Sequence, residues 1–66
     1  MKERIFIGHG IEVFRDGESF LLRYDAGEIA DRLEDIVVSR ADAYRSMRSE
    51  SDAYDVIISW QNDQKQ

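Results

Sequence analysis

The chain contains no cysteine and a single histidine, His9, among its 66 residues. Without cysteine there is neither a disulfide framework nor thiolate chemistry, and one imidazole does not make a zinc site. A domain this small buries only about 60% of the surface its unfolded chain exposes. With both common staples excluded, oligomerisation is the remaining remedy. No stretch approaches the ~18 apolar residues of a membrane span, and Ile5-Phe6-Ile7 is too short an apolar run for the core of a secretory leader. A cytoplasmic protein is expected, with one domain over 1–60 and a frayed polar tail over 61–66.

Positive charge is also scarce. Nine basic residues stand against 14 acidic ones, a formal charge of −5. That balance repels nucleic acid and anionic membranes and favours a partner with a basic surface.

The strongest local signal is Asp16-Gly17, which suits the two central positions of a type I′ hairpin turn. Centred there, the turn sets Arg15 opposite Glu18, Val13 opposite Phe20, Ile11 opposite Leu22 and His9 opposite Tyr24. Ile11, Val13, Phe20, Leu22, His9 and Tyr24 then share one face. Ile7 and Ile5 continue the same face, so residues 3–15 read as one long strand bent or bulged at Gly8 and Gly10, or as two shorter strands.

After Tyr24 the pattern changes. Asp25 followed by Glu28 resembles a capping box. Ile29, Leu33, Ile36, Val37, Tyr44 and Met47 form an apolar stripe at helical spacing, with Asp31, Asp35 and Asp42 on the opposite side. Arg40 falls in the stripe and Val38 in the acidic ridge. Ser39 with Asp42 three residues later therefore suggests a break, giving helices near 26–37 and 40–49. Tyr54, Val56, Ile58 and Trp60 alternate with Asp55, Ile57 and Ser59, which reads as a third strand over 54–60.

The expected architecture is α+β, a three-stranded antiparallel sheet in the order β-β-α-β along the chain and 2-1-3 in space, one face covered by a long or broken helix. The opposite face would then gather Phe6, Phe14, Leu21 and Ile57, an apolar cluster of the kind that marks an interface.

Catalytic signals are weak. Gly8-His9-Gly10 lacks the spacing of a phosphate-binding loop, no histidine or lysine stands near the serines in sequence to activate one, and no calcium-loop pattern occurs. No enzyme activity, cofactor or metal is expected. The leading expectation is a small acidic protein-binding module, an inhibitor or antagonist of a partner with a basic surface, using Phe6, Phe14, Leu21 and Ile57 together with Asp31, Asp35 and Asp42. The alternatives are a homodimeric structural or adaptor protein, and ligand binding or catalysis near His9.

Overall fold

In the computed structural model, which describes residues 1–25 and 33–64, the sheet is a simple meander. Its strands are β1 (Lys2–Gly8), β2 (Ile11–Asp16), β3 (Ser19–Asp25) and β4 (Leu33–Val38), followed by helices α1 (Arg40–Ser46) and α2 (Glu50–Gln64). All three neighbouring strand pairs are antiparallel and the order in space is β1-β2-β3-β4. This overturns the expected three-stranded 2-1-3 sheet in three places.

First, residues 3–15 follow the two-strand alternative and not the single long strand on which the three-stranded order rests. Gly8 pairs with Ile11, leaving His9 and Gly10 as the central turn residues at φ 54° and 76°. Two positive φ values in a two-residue loop define a type I′ turn, whose twist matches that of the strands it joins.

Second, the segment expected to complete a helix over 26–37 is the strand β4. Leu33, Ile36 and Val37 fit a helical stripe, but Val38 did not. On a strand Ile36 and Val38 point the same way, and both are buried against the core. Three consecutive β-branched residues favour this choice, and pairing with β3 satisfies the backbone. The expected helix start beyond Asp25 lies outside the described residues.

Third, the expected strand over 54–60 belongs to α2. Ala53, Val56, Ile57 and Trp60 pack on the core at the i, i+3, i+4, i+7 spacing of one helix face. Tyr54 remains exposed. A short apolar run satisfies either period, and here the helical one prevails.

The β2–β3 register also moves. Asp16 pairs with Ser19, so Gly17 and Glu18 are the central turn residues, and Gly17 alone takes positive φ, 63°. That sign pattern belongs to a type II′ turn and spares Asp16 the left-handed region. Val13 therefore opposes Leu22 instead of Phe20, and Ile11 opposes Tyr24 instead of Leu22. A shift by two residues preserves the alternation, so Ile11, Val13, Phe20, Leu22 and Tyr24 stay on the inward face while their partners change, whereas His9 leaves it for the turn and Ile7 falls on the opposite face.

Both helices lie on that inward face. Leu22, Val13 and Ile36 are fully enclosed beneath Ala43, Ala53 and Val56, with Phe6, Met47, Ile57 and Trp60 closing the margins. Each helix starts on a serine cap. Ser39 Oγ accepts from the Asp42 N–H at 3.1 Å, and Ser49 Oγ accepts from the Asp52 N–H at 3.1 Å. Arg45 of α1 reaches Asp52 at 3.6 Å and Asp55 at 3.3 Å, tying the two helices together across their short connection.

Candidate functional site

With the helices on one side, the other side of the sheet is bare among the described residues. Across it run Lys2, Arg4 and Ile7 of β1, Glu12 and Phe14 of β2, Leu21 and Arg23 of β3, and Leu33, Asp35 and Val37 of β4. The apolar members are unevenly exposed. Ile7, Leu33 and Val37 are 63%, 61% and 65% accessible, Leu21 is half-buried, and Phe14 is 8% accessible.

Charged side chains cover Phe14. The Lys2 ammonium sits 4.9 Å from its ring centroid and the Arg23 guanidinium 4.7 Å, both within cation–π range. Arg23 donates from Nε to Asp35 Oδ1 at 2.7 Å and from Nη2 to Asp35 Oδ2 at 3.1 Å, and Lys2 Nζ stands 3.8 Å from the same carboxylate. Asp35 thus fixes the cations that roof the ring. The hydrogen bonds from Arg23 hold the Asp35 carboxyl below its ordinary value, with the nearby Lys2 adding to the effect, and the carboxylate in turn raises the Arg23 guanidinium further. Arg4 and Glu12, 3.6 Å apart, extend the polar band toward β1.

The face therefore has a charged, internally neutralised centre and an aliphatic fringe on its outer strands. A shallow hollow of about 270 Å³ runs between Ile7 and Leu33 over Glu12 and Arg23.

A second concavity, about 450 Å³, lies on the helix side between the β1–β2 turn and α2, lined by His9, Tyr24, Glu50, Tyr54, Ile57 and Gln61 among others. Tyr24 anchors it. Its hydroxyl donates to Glu34 Oε2 at 3.2 Å and accepts from Gln61 Nε2 at 3.4 Å, joining β3, β4 and α2. His9 sits at the rim, its ring 5.4 Å from that of Phe6. It makes no hydrogen bond or ion pair among the described residues, and no group of three metal-ligating side chains occurs among them. The arrangement offers an apolar and aromatic wall but no assembled base, nucleophile and oxyanion donor.

The residues singled out from the sequence are thus divided. Phe14 and Leu21 share the bare face. Phe6 and Ile57 do not, because the bulge between Arg4 and Phe6 turns Phe6 inward and Ile57 belongs to a helix. Asp35 is on the bare face but committed to Arg23 and Lys2. Asp42 lies in the first turn of α1, and Asp31 lies outside the described residues. Ile7, Leu33 and Val37 are exposed members of this face that the expected architecture does not place there. Strict alternation through Leu33, Asp35 and Val37 was the available signal, hidden by the competing helical stripe.

The chain matches no protein-family model, no curated protein and no solved structure.

Proposed function

We propose that this chain is a protein-binding module that presents the bare face of its sheet to a partner. The observation that carries this reading is the exposure of Ile7, Leu33 and Val37, each above 60%, on a face that no described element covers. Large aliphatic side chains gathered on one sheet face cost solubility and are characteristic of interaction surfaces. The formal charge of −5 favours a partner of opposite charge and gives the encounter a salt dependence. An inhibitor or antagonist of a basic protein fits this chemistry.

The test starts from a partner isolated on the unaltered chain and then purified. Ile7→Glu and Leu21→Glu are expected to weaken its binding at least about tenfold with the circular dichroism spectrum preserved, since a few anchors dominate such contacts. Full affinity in both folded variants would refute the use of this face.

A second reading, a small ligand held beside His9, is favoured by the cleft between the β1–β2 turn and α2. Chemical-shift changes confined to His9, Tyr24 and Tyr54 on screening small amines and aromatics would support it. Their absence, together with sheet-face dependence of partner binding, would leave the first reading.

A further inference from the structure

The exposed aliphatic groups are concentrated where the sheet ends. Leu33 and Val37 are both on β4, a strand with no neighbour on its outer side among the described residues. Open edges invite pairing, and natural sheets blunt them with bulges, charges or proline. The other edge, β1, is blunted. A bulge interrupts its ladder between Arg4 and Phe6, and it carries Lys2, Glu3 and Arg4. By contrast, β4 pairs without interruption over Leu33–Val38. Its two charged side chains are both drawn back to β3, Asp35 to Arg23 and Glu34 to Tyr24.

We propose that a second copy of this chain occupies that edge, with β4 pairing antiparallel to its own symmetry mate about a two-fold axis at Asp35. This goes beyond the binding role argued above, because the partner here is the chain itself.

Register arithmetic selects the axis. Directly opposed residues in an antiparallel pair share a face, so a self-pairing strand must place a residue, and not a peptide midpoint, on the axis. With Asp35 there, Leu33 faces Val37 of the second copy and Val37 faces Leu33, two aliphatic pairs on the same face. Centring on Ile36 instead would set Asp35 against Val37 and leave Leu33 opposite Ser39.

The chosen axis brings two Asp35 carboxylates together, ordinarily a destabilising pair. Here each is bound bidentately by Arg23 and approached by Lys2, so the axis carries compensated charge.

Two competing assemblies are disfavoured. Packing the bare faces together would set two identical Lys2, Arg23 and Asp35 networks against each other, with no complementary charge on the facing copy to replace the lost water. Pairing β4 with β1 of another copy would be head-to-tail and open-ended, and the β1 bulge breaks the ladder it would need. The two-fold contact is closed, and it joins two four-stranded sheets into one of eight strands.

The absence of native cysteine makes the register directly measurable. A mixture of Leu33→Cys and Val37→Cys chains, treated with a short thiol-bridging reagent, is expected to give cross-linked mixed dimers, whereas neither variant alone links efficiently. In sedimentation the unaltered chain is expected to move from 7.7 kDa toward twice that mass with rising concentration. Val37→Glu, placed twice in each dimer, should raise the dissociation constant at least about tenfold, with folding confirmed by circular dichroism.

A folded chain that stays at its monomer mass up to millimolar concentration would overturn the proposal. So would efficient linking of Val37→Cys to itself, which places the axis elsewhere. Loss of dimer in Val37→Glu with partner binding retained would separate this contact from the partner-binding role, while loss of partner binding in Ile7→Glu with the dimer intact would do the converse.

Discussion

At His9 the backbone sits at φ 54°, a left-handed conformation that costs a residue with a Cβ of order 1 kcal/mol or more. Asparagine tolerates it best among non-glycine residues, and Asn-Gly is the preferred core of a type I′ turn. His9→Asn is therefore expected to raise the unfolding free energy by about 0.5 kcal/mol, and Gly10→Ala to lower it by about 1–2 kcal/mol. Urea titration of both variants checks this. A destabilised His9→Asn would show that the ring contact with Phe6 outweighs backbone relief. Phe14 presents the opposite situation, a side chain on the bare face that is nonetheless enclosed by Lys2 and Arg23. Its truncation to alanine should cost about 3 kcal/mol, close to the range for a core aromatic. The Asp35 carboxyl, held below its ordinary value of 3.8 by Arg23, contributes stability fully present above that value and lost as the pH falls through the depressed one. Asp35→Asn should abolish this part of the acid sensitivity, read as a flatter dependence of stability on pH below about 4.

Among the elements, the two helices depend on the same device. Replacing Ser39 or Ser49 with alanine removes the acceptor for the Asp42 or Asp52 N–H, and each change should cost about 1 kcal/mol in thermal or urea unfolding. The first of these caps is readable from Ser39 and Asp42 alone. The second, Ser49 with Asp52, has the same spacing and marks the start of α2, but the alternation of Tyr54, Val56, Ile58 and Trp60 points to a strand over the residues that follow it. The inward residues of β2 and β3 were also legible, because alternation survives a register shift of two. The location of the turns was not, since Asp16 and Gly17 could serve as either the first two or the central two residues of the loop. β4 was lost to a coincidence of periods. Leu33, Ile36 and Val37 satisfy a helix, and only the pairing edge of β3, absent from any local window, decides for the strand. For the same reason the bare face is foreseen as apolar through Phe14 and Leu21, while two of its three most exposed members, Leu33 and Val37, read as helical.

The molecule as a whole is a sheet laid down in chain order, with a helical pair folded back over it. In β1-β2-β3-β4 every strand neighbours the one made just before it, and the first two connections are two-residue turns. The ends that must meet are close in sequence, so little loop entropy is spent before contacts form. The order 2-1-3 would have demanded a longer search. Refolding is therefore expected to finish within milliseconds, at the fast end for sheet-containing domains. The chain has no proline, so the slow isomerisation phases of tens of seconds are expected to be missing. Trp60, the sole tryptophan and packed at the margin of the core, supplies the optical probe. In stopped-flow dilution from urea at submicromolar concentration, its fluorescence should recover in one exponential. A second phase lasting seconds would mean that the four strands do not assemble in the order in which the chain supplies them.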